Sequence, residues 1–208
     1  MVIYSVAEDG PAFNMKIIKD SPSQASQDSF AMNMLDWKRN GYYVEIGAYD
    51  PYKLSNTYSL EKDYSWSGIS FDIKKIDFSS RKNVCLQLDA TLANYEEIFK
   101  QQKVPEIVDY LQLDIDPAPR TLAALKLIPF DNYKFSVITF EHDSYRGHES
   151  VAVESRKILQ NKGYKLLIKN VGNPDPYEDW YIHPDLITKS IWERYEGIED
   201  IEWQRLYE

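Results

Sequence analysis

GYYVEIGAYDPYKLSNTYSLEKDYSWSGISFDI, residues 41–73, decides the fold. Its first apolar run, YYVEI (42–46), is aromatic and β-branched and reads as a buried strand. A loop with one glycine, Gly47, follows. Ser55 or Asn56 then offers a cap for a helix over 55–64. GISFDI (68–73) is a second strand, and it ends in an acid. Strand, loop, helix and strand in that order imply a right-handed βαβ crossover, and therefore a parallel pair.

The same alternation continues on both sides. Upstream, residues 26–39 place Phe30, Met34 and Trp37 on one stripe of a helix, with Gly41 as its stop. Downstream, NVCLQLD (83–89), VDYLQLDID (108–116), FSVITFEHD (135–143), YKLLIKNV (164–171) and EDWYIHP (178–184) read as strands. Helices are expected over 92–103, 120–127 and 149–162, the last ended by Gly163. Glu96 and Glu97 lie early in the first of these and Lys100 and Lys103 late, as the helix dipole favours. Only VGNPDPY (171–177) separates the last two strands, too little for a crossover helix, so they pair antiparallel at or near a sheet edge. The expectation is an α/β protein with a seven-stranded, mostly parallel sheet and an antiparallel hairpin at one side. A single domain is expected over 1–208, with an N-terminal extension of about 1–25. The C-terminal tail of about 185–208 reads as a helix and an aromatic segment.

Composition narrows the function classes. At 208 residues, 43% hydrophobic and 27% charged, the chain is long and apolar enough for a packed core. Its 33 acids against 24 bases give a net charge of −9, which argues against nucleic acid and against an anionic membrane surface as partners. Cys85 is the one cysteine, so no internal disulfide or cysteine-based zinc site is expected. No stretch has the length of a membrane span, and the first ten residues lack the basic cluster of a signal peptide. A cytoplasmic location is the expectation. Oligomeric state is not set by composition.

Ligands of open parallel sheets bind beyond the carboxyl ends of the strands. Here those ends carry Glu45, Gly47, Ala48 and Asp50, then Asp72 with Ile73, then Asp89 with Ala90. Asp114, a further expected cofactor contact, and Asp116 follow, and after them Glu141, His142 and Asp143. One glycine without G-x-G-x-x-G disfavours a dinucleotide. A rim of acids suits a ligand rich in donors. S-adenosylmethionine has an ammonium, a sulfonium and a ribose diol. Gly47 would let the backbone approach such a ligand, and Glu45 would orient the loop or hold the ammonium through water. Asp72 would take the ribose hydroxyls and Asp89 the adenine amine. Ser55 and Asn56, at a helix start, would face the carboxylate.

These residues also carry a family resemblance. The order of the EIGAYD loop, Ser55-Asn56-Thr57, Leu60-Glu61, S-W-S-G-ISFD, Arg81-x-Asn83-x-Cys85, DYLQLDID, FSVITFEHD and GY…EDWYIHP resembles the FkbM family of S-adenosylmethionine-dependent methyltransferases over about 26–184. The resemblance implies a Rossmann-like class I methyltransferase fold and methyl transfer, generally to oxygen of a small-molecule or glycan acceptor. It also implies that Glu61 makes a buried contact bracing the first loop. Two departures stand out: Pro51 in place of a second glycine, and Asp114-Ile-Asp116-Pro117-Ala118-Pro119 after the fourth strand.

For the chemistry, His142 is the candidate general base, since imidazole titrates near neutrality. Glu141 and Asp116 are the other candidate catalytic groups, and Tyr145, Tyr177 and Trp180 the aromatics nearest an acceptor. Two alternatives remain. Asp114-x-Asp116 would suit a divalent metal, as in a metal-dependent glycosyltransferase. A non-catalytic relative that only binds S-adenosylmethionine is the other.

Overall fold

The structure, a computed structural model, describes residues 13–208. Of the expected N-terminal extension of about 1–25, residues 1–12 lie outside the described residues. The elements are α1 (Gln27–Met34), β1 (Tyr42–Ile46), α2 (Tyr58–Tyr64), β2 (Ser67–Asp72), β3 (Val84–Gln87), α3 (Tyr95–Gln101), β4 (Ile107–Leu113) and α4 (Ala118–Leu125). Then come β5 (Lys134–Glu141), α5 (Glu149–Asn161), β6 (Lys165–Gly172), β7 (Pro176–Ile182), α6 (Lys189–Trp192) and β8 (Ile198–Glu202).

All eight strands form one sheet in the order β3-β2-β1-β4-β5-β7-β6-β8. β1 to β5 run parallel; β7 is antiparallel to both β5 and β6. The expected hairpin is present, with β7 inserted between β5 and β6. The strand count is eight rather than seven, because part of the tail pairs parallel to β6 as β8 and forms the edge. Its sequence, IEDIE, alternates apolar and acidic residues, as a half-exposed edge strand should.

Period-two alternation divides the core between the two faces of the sheet. Val44, Ile46, Leu111, Leu113 and Ile138 pack with Tyr95, Phe99, Leu125 and Leu159 on one face. Tyr43, Tyr110, Val137 and Trp180 pack on the other with Phe30, Met34 and Trp192. The Phe30 and Trp180 rings stack at 4.5 Å, seating α1 against the sheet. The tail closes over this face: Leu206 accepts from the Met15 amide at 3.0 Å, and the Tyr207 hydroxyl donates to the Ser26 carbonyl at 2.8 Å.

Several boundaries differ from expectation: α2 begins at Tyr58 with Thr57 in the cap position, rather than at Ser55, and α3 spans Tyr95–Gln101 rather than 92–103. α1 stops at Met34, before Trp37, because Asp36 and Trp37 take left-handed φ and turn the chain early. β4 stops at Leu113, leaving Asp114 and Asp116 in a loop. α4 begins at Ala118, with Pro119 in its first turn, so the Asp116–Pro119 departure is a helix start.

Candidate functional site

The chain crosses from one side of β1 to the other between β3 and β4, so the order reverses at β1–β4, and a cleft opens beyond the carboxyl ends at that point. It has a volume of about 400 Å³ and receives Gly47, Asp72, Gln112, Asp114, Glu141 and Tyr177, among others. A side pocket of about 40 Å³ lies between the ends of β2 and β3, walled by Phe71, Ala90 and Ile115 with Asp72, Asp89 and Arg120.

Gly47 joins cleft and pocket. Its φ is +91°, and a Cβ there would lie 1.6 Å from the Asp114 carbonyl oxygen. A glycine is therefore required by the approach of the β1 loop to the end of β4. Its amide and that of Ala48 both donate to the Phe71 carbonyl, at 2.9 and 3.1 Å. Asp72 sits at the mouth, accepting the Tyr49 amide at 3.0 Å on one oxygen and the Lys74 amide at 2.7 Å on the other. These bonds fix the carboxylate and leave each oxygen a further lone pair toward the cleft. Glu45, on the cleft floor, is buried and accepts the Ser70 hydroxyl at 2.6 Å; burial raises its carboxyl pKa. Ile73 is exposed at the rim, and Asn56 lines the cleft while accepting Ser23 Oγ at 2.7 Å.

Asp50 and Ser55 are not part of the cleft lining. Asp50 accepts the amides of Tyr52 and Lys53 at 2.9 and 2.7 Å, and Ser55 Oγ that of Tyr58 at 3.2 Å. Both shape the loop that other residues use. The expected assignment of Asp89 to an amine meets a competitor, since Arg120 Nη2 lies 3.0 Å from each of its oxygens and Thr91 donates twice more.

The first loop is braced as the resemblance implied. Glu61 is buried and accepts Arg81 Nε at 2.9 Å, Asn83 Nδ2 at 3.0 Å and the Lys82 amide. Arg81 also donates to the Pro51 carbonyl at 2.8 Å, and to the Tyr43 hydroxyl and Thr57 Oγ1, both at 3.1 Å. One guanidinium thus ties the loop around Pro51 to α2 and β1.

At the far wall, Asp114 and Glu141 share a hydrogen bond, and both carboxyl pKa values are raised, by burial first and then by neighbouring acids. Two carboxylates so placed do not both ionise readily, and the pair titrates as a unit. Asp116 diverges from Asp114: its side chain is 81% exposed and lies 3.6 Å from Arg146. Among the described residues, no group of three His, Cys, Asp or Glu side chains is arranged to hold a metal ion. The Asp-x-Asp reading therefore lacks a converging ligand set.

His142 requires a correction. Its side chain is wholly buried and does not line the cleft. Nε2 lies 3.4 Å from Asp179 Oδ1, and Nδ1 accepts the Ser144 amide at 3.2 Å. Alternation along β5 turns Glu141 to the cleft; the next residue goes inward, where Arg156 and Asp179 form an ion pair at 2.7 Å. A ring so placed does not reach an acceptor. Trp180 is likewise core; Tyr145 and Tyr177 do line the cleft.

Sequence reasoning missed Gln112 and Arg120. Gln112 carried a signal, a polar side chain inside the run DYLQL; Arg120, at a helix start, carried none.

With this topology the chain has the α/β, Rossmann-like methyltransferase fold. A protein described as a candidate rRNA methylase of Clostridium thermocellum aligns at a TM-score of 0.50 and 13% identity, over 80% of this chain and 97% of its own. A TDP-rhamnose 3′-O-methyltransferase of calicheamicin biosynthesis aligns at 0.50 and 17%, over 77% and 78%. No protein-family model and no curated protein matches the sequence. The first of these structures overturns the exclusion of nucleic acid drawn from net charge. A protein of this fold is described as acting on rRNA, and overall charge does not decide what one cleft admits. Among the described residues, no helix is long and apolar enough to cross a membrane.

Proposed function

We propose that this chain is an S-adenosylmethionine-dependent methyltransferase of the FkbM type, acting on a hydroxyl of a small-molecule or glycan acceptor in the cytoplasm, as a single domain over 1–208. The observation that carries the reading is the position of Gly47, Asp72 and Asp89 at three successive strand ends around the switch point, two of them on the 400 Å³ cleft and all three on the adjoining pocket. The cleft lies within the usual range for small-ligand sites, and its fixed carboxylate at Asp72 suits a diol. The apolar walls Phe71, Ala90 and Ile115 suit an adenine ring, once Arg120 swings off the pocket.

When bound, the cofactor supplies a methyl carbon already activated by a sulfonium. The protein's work is then mainly positioning. Asp72 orients the ribose, Glu45 and Gly47 frame the amino-acid end, and Ile73 and Ala90 flank the base. Tyr145 and Tyr177 offer the acceptor a wall. With His142 withdrawn, Glu141 at the end of β5 is the carboxyl we assign to the hydroxyl's proton, once the proton it shares with Asp114 has left, and Asp116 stands at the mouth.

The test is calorimetry with S-adenosylhomocysteine. Asp72→Ala removes up to two charge-assisted hydrogen bonds of roughly 1.5–3 kcal/mol each, so affinity should drop at least about tenfold. A folded Asp72→Ala protein with undiminished affinity refutes the placement.

A further inference from the structure

The cleft wall contains a buried acceptor oxygen, that of the Gln112 side chain, for which the protein provides no donor. Strand register sets Gln112 between Glu45 on β1 and Thr139 on β5, on the sheet face that α1 covers. Asp114 and Glu141 follow one step nearer the carboxyl edge, and Glu141 faces Glu178 on β7. Gln112 and Glu178 are each only 3% exposed; Glu178 has Gln27 Nε2 at 3.4 Å and the Trp180 indole N–H as donors, whereas Gln112 Oε1 has no hydrogen-bond partner. Gln112 lines the cleft itself.

Charge is unbalanced at the same place. Asp89, Asp143 and Asp179 each have an arginine, namely Arg120, Arg146 and Arg156. Glu45 and Asp72 are held by a hydroxyl and by amides. Among the described residues, none of Asp114, Glu141 and Glu178 has an ion-pair partner; the nearest such bridges, at Arg146, go to Asp143 and Asp116. An acid cluster without a cation, beside the orphaned Gln112 oxygen, lacks one thing, a cation with several N–H donors.

We infer that the acceptor carries a protonated amine, received by Gln112 Oε1, Asp114 and Glu141. An ammonium brings three donors and one charge. It replaces the proton that the two carboxyls share, and that proton leaves to solvent. Asp114 and Gln112 then anchor the amine. Glu141, now ionised, is free to accept the proton of a hydroxyl on the same molecule. The raised pKa of the carboxyl pair agrees, because a site built for a bound cation carries excess negative charge when empty. The inference rests on the methyl-transfer reading and names the class of acceptor, an amino alcohol or amino sugar.

Ethanolamine and ethylene glycol differ only in the ammonium, and both are small enough to reach the floor of the cleft. Protein saturated with S-adenosylhomocysteine is titrated with each, following the Gln112 side-chain amide by NMR and the proton released on binding. Ethanolamine should bind in the roughly millimolar range that so small a ligand permits. It should bind at least about tenfold tighter than the glycol and release a proton. Glu141→Gln, and separately Asp114→Asn, should remove most of that preference while S-adenosylhomocysteine still binds, which also shows each variant folded. Equal binding of the two probes, or none of either, overturns the inference and leaves the cofactor reading intact. Displacement of ethanolamine by S-adenosylhomocysteine also overturns it, since the cation site would then be the cofactor's own. Failure of S-adenosylhomocysteine to bind at all refutes the methyl-transfer reading, and the inference falls with it.

Discussion

Replacing Arg81 tests the brace under the first loop. Arg81→Met removes donors to Glu61, Pro51, Tyr43 and Thr57 and leaves the Glu61 carboxylate, 5% exposed, without its cation. Breaking one side of a buried ion pair costs about 3–5 kcal/mol. The Lys82 amide and Asn83 still donate to Glu61, which sets the expectation at the lower end, about 3 kcal/mol. For a chain of this length that is a fall in Tm of roughly 6–12 °C. The double change Arg81→Met/Glu61→Leu should recover at least about 1 kcal/mol, because it removes the stranded charge. Urea unfolding at neutral pH measures all three proteins. A single variant within about 1 kcal/mol of wild type, or a double variant no better than the single, refutes the brace. Arg81→Lys is instructive too: one ammonium does not span the four acceptors, so the loop should loosen even though the charge stays.

Three further outcomes follow from the geometry. Gly47→Ala should destabilise the fold by more than about 2 kcal/mol, from positive φ and a collision with the Asp114 carbonyl; a Tm equal to wild type contradicts the close approach. Burial alone would raise the Asp179 carboxyl, but His142 and Arg156 beside it outweigh that and bring its pKa to about 2. A depressed acid stabilises the fold above its unfolded pKa, so roughly 2 kcal/mol should be lost progressively as pH falls from about 5 to 1, and a flat urea midpoint over that range would contradict this. His142→Asn should cost stability but keep turnover within about threefold of wild type, whereas loss of a general base costs about 10²–10⁴; a drop of that size with intact cofactor affinity would restore His142 to the chemistry.

Much of the fold was legible because buried parallel strands need continuous apolar runs, and YYVEI, DYLQL and FSVITF supply them. β8 was not, since IEDIE has the weak pattern of an edge strand and its pairing with β6 is a tertiary choice. The strand-end acids were legible as a set, but not by direction. Nothing in FEHD tells which of Glu141 and His142 faces the cleft until β7 brings Asp179 against the ring. Arg81 was visible only as part of a motif, because its partners come from 20 to 38 residues away.

The tail that crosses the α1 face has a consequence for exchange experiments. Tyr207 holds the Ser26 carbonyl, and a few residues earlier Ser23 bonds Asn56 and Gln24 lines the cleft. The last turn of the chain and the mouth of the cleft are thus two ends of one short lever. Coupling between sites is reciprocal. A ligand that stiffens the Gln24 segment should slow amide exchange at Met15, whose N–H is held by Leu206. Trimming the last residues should in turn weaken the ligand, although none of them touches it.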